Sequence, residues 1–218
     1  MTRQAPFVEG EYYHIYNRGT NKMHIFNSLT DYDRFIKLLY LVNSAETIQY
    51  SDADKNEIWK IQKGESLVEI GAWCLMPNHF HILIKTKNDK STSLFIQRLL
   101  TSHSKYFNIK YERSGSLFQG KSKSKHLNND RYLKYLFAYI HLNPVKLIDP
   151  KWKENKIPNL DKTLKFLEKY SYSSYYDYSG NDREESKILS RDEFPEYFIN
   201  PKKHLKELKE WLVYENKE

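Results

Sequence analysis

Residues 73–84 read WCLMPNHFHILI, with His79 and His81 one position apart in an otherwise apolar stretch. On a strand, side chains at i and i+2 share a face, so the two imidazoles align while Phe80 and Ile82 turn the other way. Neutral imidazoles bind divalent ions well, and two on one strand face fill adjacent coordination positions without closing a loop. The pair is either half of a metal site or two histidines lying on, or buried against, a sheet; His-x-His alone does not choose. Tyr132, Tyr135 and Tyr139 form a second series. At i, i+3 and i+7 they share one helix face, as a packed aromatic stripe or as a row that presents a hydroxyl for chemistry. A phenol ordinarily ionises at about pH 10, so nucleophilic use of one requires a metal or a base nearby.

The elements that must hold these groups follow from periodicity. EYYHIYNRG at 11–19 reads as a first strand ending at Asn17 to Gly19. LTDYDRFIKLLYLVNSA carries Phe35, Leu38, Leu39 and Val42 at helical spacing behind Thr30 or Asp31 as a cap. The polar stretch ETIQYSDADKNEIWKIQKGES reads as an irregular excursion. LVEIGAWCLM and HFHILIKT are strands joined at Pro77-Asn78 into an antiparallel hairpin. STSLFIQRLLTSHSKYFNIKYER is a long helix started by Ser91 or Ser93 and stopped near the glycine of RSGS. LFQGKSKSKHL is a strand or an extended basic segment. NNDRYLKYLFAYIHLNPVK is a further helix, capped by Asn129 or Asp130 and closed by Pro144, because the residue before a proline is disfavoured in a helix.

This order predicts the α+β class: a mostly antiparallel sheet with helices packed mainly on one face and the other face open to a ligand. Residues 8–148 are the expected domain. Residues 149–218 turn polar, then aromatic in SYSSYYDYSG, then amphipathic, and read as an extension that wraps the domain or adds to its partner surface.

A chain of 218 residues, 39% apolar and 29% charged, suits one packed domain with an appendage. No stretch approaches 18 apolar residues and the first residues hold no apolar run, so no membrane contact and a cytoplasmic location are expected. The single Cys74 excludes an internal disulfide and reads as a buried small hydrophobe. The net charge of +7 is concentrated between Thr101 and Tyr135, where Lys105, Lys110, Arg113, Lys121, Lys123, Lys125, Arg131 and Lys134 face only Glu112 and Asp130. With Tyr106, Phe107, Tyr111 and Phe118 interleaved, the run suits phosphate contacts and base stacking, against the plainer reading of a solvated face. His14, His24, His103, His126 and His204 have no such context and read as structural or solvated. His141, two positions from Tyr139, turns to another side of its helix and reads as a hydrogen-bonding core residue.

Taken together, YYHIYNRG with IF and DYDRF after it, MPNHFHILI, YFNIKYERSGSLFQGKSKS and YIHLNPVK resemble the single-tyrosine HUH transposases of small insertion sequences, the IS200-like family, and among them the REP-associated tyrosine transposases. The resemblance runs from Tyr12 to Lys146, and SYSSYYDY resembles a segment that follows the core in many relatives. It implies a ferredoxin-like, RRM-like HUH fold. His79 and His81 become the metal pair, Tyr139 the nucleophile, and Asn143, one turn beyond it, the residue that completes the metal site. Asn17 and Arg18 match the end of the first strand and Gln119 the FQG motif, joining Lys105, Tyr106, Lys110, Arg113, Lys121, Lys123 and Lys125 as expected DNA contacts. Where relatives commonly follow FQG with Arg and an aromatic, this chain has Lys121 and Ser122, so its DNA specificity differs from theirs. The implied activity is Mg²⁺- or Mn²⁺-dependent cleavage and rejoining of single-stranded DNA next to a hairpin through a 5′-phosphotyrosine. The alternative is a domesticated, non-catalytic protein that binds single-stranded DNA or RNA hairpins. A monomer is favoured over a homodimer.

Overall fold

The computed structural model describes residues 6–152, 154, 157, 159–196 and 200–214; the rest of the 149–218 extension lies outside these residues. The strands are β1 (Tyr12–Arg18), β2 (Val68–Met76), β3 (His79–Thr86) and β4 (Lys123–His126). The helices are α1 (Leu29–Leu41), α2 (Asp89–Lys110), α3 (Asp130–Leu142), α4 (Leu160–Lys169), α5 (Tyr175–Tyr178) and α6 (Pro201–Tyr214). The sheet order is β2-β3-β1-β4 and every pairing is antiparallel. The α+β reading, the β2–β3 hairpin about Pro77-Asn78 and the strand within KSKSKHL are all present.

Strand alternation sorts the sheet into two faces. Phe80, Ile82 and Ile84 join Phe35, Leu38, Phe95, Leu99 and Phe107 of α1 and α2 in one core. Leu83, Ala72, Cys74 and Met76 point the other way and are covered by Leu133, Leu136, Phe137 and Ile140 of α3, with Tyr178 and Phe194. The expectation of helices mainly on one face is therefore corrected: both faces are covered. Ala72, Cys74, Met76 and Leu83 make most of the second face apolar, and such a face must be buried. Among the described residues, the polar end of that face, around Tyr16, Arg18 and His79, lines a cleft.

Side-chain caps set the starts of α1 and α2 a few residues upstream of the readings made on local sequence, and that of α3 at Asn129 as read. Asn88 accepts from the Ser91 N–H at 2.9 Å, so α2 begins at Asp89. Ser28 precedes α1, and its N–H donates to Asp31 at 3.0 Å. Asn129 caps α3, accepting from the Tyr132 N–H at 2.8 Å. Pro144 does not break the chain's course: Asn143 keeps φ −54° and ψ −40°, and a 3-10 turn runs on over Asn143–Leu147. A proline in the first turn of that segment removes an N–H that has no partner there. The result carries Asn143 and Lys146 onward from the Tyr139 face.

Residues after 170 complete the fold at the free edge of β2. The Leu75 N–H donates to the Tyr172 carbonyl and the Ser174 N–H to the Trp73 carbonyl, both at 2.9 Å. The Ser174 hydroxyl accepts from the Trp73 N–H at 2.9 Å. An open strand edge is thereby paired. At the irregularity between Ile70 and Ala72, Gly71 lets the Phe194 ring approach so closely that an added Cβ would lie 2.4 Å from it.

Candidate functional site

Register brings the functional groups together. In the β1–β3 pairing Tyr16 is opposite His81 and Arg18 opposite His79. α3 crosses this end of the sheet, and the Tyr139 ring stands edge-on to His81 with centroids 5.4 Å apart. One turn beyond, the Asn143 amide oxygen lies 3.4 Å from His79 Nε2, while its Nδ2 donates to the Tyr139 carbonyl at 3.5 Å.

The protons in this cluster can be assigned from its partners. His79 Nδ1 lies 2.6 Å from the Asn78 side-chain oxygen, which only accepts, so Nδ1 carries the hydrogen. Its Nε2 then turns a bare lone pair towards the Asn143 oxygen, itself an acceptor. Two acceptors facing each other across a short gap suit a cation between them. His81 is 5% exposed; its Nδ1 lies 2.8 Å from His14 Nε2, and its buried Nε2 has no hydrogen-bond partner among the described residues. An orphaned ring nitrogen beside the first pair is the second fit to a metal. Among the described residues no group of three or more His, Cys, Asp or Glu could hold an ion, and a donor set built here would be two imidazoles and an amide oxygen. Neutral nitrogen donors of this kind favour Mn²⁺ and softer ions over Mg²⁺.

Electrostatics keep the imidazoles neutral. Burial lowers the His79 pKa to about 4, Arg18 and Lys146 adding to the effect against the Asn143 contact. Burial holds His81 well below the usual histidine range, reinforced by His14, His79, Lys146 and Arg18. Burial, with Lys125, pushes His14 down to about 3. All three rings are neutral at pH 7.

The cleft holds about 340 Å³ and is lined by Tyr16, Asn17, Arg18, His79, His81, Gln119, Lys123, Tyr139 and Lys146. Its charged walls are all cationic, which suits an anion. The Lys146 ammonium lies 5.7 Å from the centre of the Tyr139 ring. Asn17 is buried; it accepts from the Arg18 N–H at 2.8 Å and donates to the Gly120 carbonyl at 3.3 Å, while the Gln119 N–H donates to the Arg18 carbonyl at 2.8 Å. These bonds lash the FQG segment to the end of β1, so part of that motif's work is structural.

The basic run does not form one patch. Lys121 is exposed just beyond the FQG segment, and Lys125 on β4 stands 4.5 Å over the Tyr132 ring. Lys105, Tyr106 and Lys110 line a separate cavity of about 600 Å³ beside α1 and α2, the helices of the opposite face. Lys110 and Tyr106 are committed there to the buried Asp31 carboxylate, at 2.6 and 2.8 Å. Burial alone would raise the Asp31 pKa, but Lys110, Tyr111, the Asn27 N–H and Tyr106 hold it well below the carboxylate range. Arg113 donates to Asn108 at 3.2 Å. The run is divided because the chain reverses between α2 and β4.

Three residues escaped the sequence reading: His14, which is buried against His81, and the cleft-lining Tyr16 and Lys146. The alternation Tyr12, His14, Tyr16, Arg18 held the signal for the first two, and the i+7 spacing from Tyr139 held it for Lys146. His141 is the core residue expected, bonded to Ser174 at 2.8 Å and His204 at 3.1 Å. Burial raises the Cys74 thiol pKa, as befits the small hydrophobe it was read to be.

Among the described residues no helix is long and apolar enough to cross a membrane. A family model described as "Transposase IS200 like" matches residues 9–143. Among solved structures, one titled "Structure of the REP associates tyrosine transposase bound to a REP hairpin" is similar at a TM-score of 0.49 and 13% identity, over 81% of this chain and 84% of that one. No curated protein matches.

Proposed function

Because the chain belongs to the IS200-like transposase family, whose members are DNA-acting enzymes, we propose that this cleft cleaves and rejoins single-stranded DNA beside a hairpin with Tyr139 as nucleophile. The observation that carries the reading is the Tyr139 ring set against His81, whose cleft-side nitrogen is unpartnered, in a cleft whose charged walls are all cationic.

The scissile phosphate sits between Arg18, Lys123 and Lys146, whose charges offset its repulsion of an incoming oxyanion. The Tyr139 phenol loses its proton and its oxygen bonds to phosphorus as the P–O3′ bond breaks. The departing 3′ oxygen takes up a proton, leaving a free 3′-OH and a 5′-phosphotyrosine. His79, His81 and Asn143 would hold Mg²⁺ or Mn²⁺, which supplies charge neutralisation at the non-bridging oxygens and polarises the phosphate. One phosphoester replaces another, so a 3′-OH in the leaving-group position can reverse the step without an external energy source.

A nucleophile fixed on a helix beside a narrow cleft reaches the backbone of a flexible single strand more readily than that of a stacked duplex. The hairpin follows from the sequence resemblance to the REP-associated branch. In this reading residues 8–148 form the transposase domain and the extension braces it, Ser174 holding both β2 and His141. In this reading the chain acts as a monomer in the cytoplasm, one copy bringing Tyr139, His79, His81 and Asn143 together without a second.

The test incubates the protein with 5′- and 3′-labelled hairpin-bearing single strands from the flanks of its own gene, in Mn²⁺ and in Mg²⁺, beside Tyr139→Phe. A covalent adduct carrying the downstream fragment, absent from the variant, is expected. Tight hairpin binding without an adduct in either metal would leave a non-catalytic hairpin-binding protein.

A further inference from the structure

His14 is buried on β1, yet its side chain reaches the cleft's metal pair rather than the apolar core. Tyr16, two positions along, is the register partner of His81, and strand alternation puts His14 on the same face. The His14 and His81 rings lie nearly parallel, centroids 4.9 Å apart, with Nε2 of the first 2.8 Å from Nδ1 of the second. Tyr16 stacks on His14 at 4.6 Å, and Tyr139 stands edge-on to it at 6.4 Å. Packing therefore fixes the His14 ring in place.

Between two neutral imidazoles this contact holds one proton, and its position decides what His81 offers the cleft. If His14 Nε2 carried it, His81 would keep its own hydrogen on Nε2, a buried donor with no acceptor. Orphaned N–H groups are rarer in proteins than under-satisfied acceptors, and a protonated nitrogen cannot ligate a metal. If His81 Nδ1 carries it, Nε2 is a bare lone pair.

We propose that His14 is a positioning residue, accepting the Nδ1–H of His81 and so holding that ring in the tautomer and orientation whose Nε2 faces the cleft as a metal ligand. The proposal rests on the metal reading of His79 and His81. Ligating histidines commonly donate their second ring N–H to such a partner, which orients the ring and raises its basicity.

The tautomer is read first, on the metal-free protein, by long-range ¹H–¹⁵N NMR of the histidine rings. His81 protonated at Nδ1 and bare at Nε2 is expected; His81 protonated at Nε2 overturns the proposal without any metal being present. Mn²⁺ affinity is then titrated by electron paramagnetic resonance in wild type, His14→Phe and His14→Gln, each checked for cooperative thermal unfolding. Phe removes the acceptor and is expected to weaken Mn²⁺ binding about 10–100-fold, with the His81 proton moving to Nε2. Gln supplies a carbonyl oxygen and recovers most of the affinity, which a merely space-filling role would not produce. Wild-type affinity in a folded His14→Phe overturns the role of His14 alone. A wild-type protein that binds no Mn²⁺ overturns the metal reading together with it. If the Phe variant does not fold, the wild-type tautomer and the Gln variant still decide: a folded Gln variant with the His81 proton on Nε2 overturns the proposal.

Discussion

The Asn143 side-chain oxygen faces His79 Nε2 at 3.4 Å, linking the segment just after the Tyr139 helix to the strand that carries His79 and His81. The proposed nucleophile, ligand and cation thus follow one another on a single stretch of chain, as Tyr139, Asn143 and Lys146. Replacing Asn143 with Ala is expected to lower Mn²⁺ affinity by roughly tenfold or more while leaving thermal stability nearly unchanged. Titration of Mn²⁺ followed by electron paramagnetic resonance measures it; wild-type affinity would remove Asn143 from the ligand set.

Tyr139→Phe deletes one oxygen and leaves the ring against His81. Cleavage is expected to fall by about 10⁴-fold or more, as for loss of other covalent nucleophiles, with hairpin affinity within about threefold of wild type. Single-turnover cleavage and a filter-binding isotherm separate the two effects. Equal loss in both would point to a binding role for Tyr139.

Lys146→Met keeps the length of the side chain and removes its charge beside Tyr139. The cleavage step is expected to slow by about 100-fold. Lys105→Ala, over on the α2 side, should leave that step unchanged. Rapid-quench kinetics at saturating DNA compare them, and an equal slowing in both variants would mean that cleft charge is not what assists attack.

Asp31 ties Lys110, Tyr106 and Tyr111 of α2 and its C-terminal end to the start of α1. Its replacement by Ala leaves those donors without their acceptor. A loss of about 2 kcal/mol is expected, below the usual figure for a broken buried pair because Lys110 is partly in solvent. Urea unfolding monitored by circular dichroism would show it as a lower midpoint with an unchanged slope.

Three histidines that do not line the cleft make folding acid-sensitive. Burial lowers the pKa of His103 to about 4 and of His204 to about 3, and holds His141 well below the usual range, with His204 adding to it. In the unfolded chain each titrates at about 6.5. Below that pH the unfolded state binds more protons than the folded one, so stability is full above about pH 6.5 and declines towards pH 4. Urea midpoints measured from pH 7.5 to 4.5 are expected to fall steadily below 6.5, and His204→Gln, if it folds, should reduce the slope. A flat profile would mean these rings are protonated in the folded protein.

Much of this was written in local sequence. The alternation of HFHILI placed His79 and His81 on one face, the spacing of Tyr139 and Asn143 put them one turn apart, and Pro77-Asn78 marked the hairpin. Those are short-range regularities of backbone geometry, so a few residues suffice to reveal them. Helix starts were less legible because Ser28 and Asn88, just upstream of the apolar periodicity, supply the observed caps.

The tertiary structure decided what the chain brings together across long separations. His14 became the neighbour of His81 only through the β1–β3 register, and the 172–174 segment acquired its place only because β2 is an edge strand. Lys105 and Lys110, read with Lys123 and Lys125 as one basic run, ended at a different cavity because α2 packs against the face opposite α3. Periodicity tells each element which side of itself to bury; only the sheet order and the competition for two apolar faces determine which element buries it.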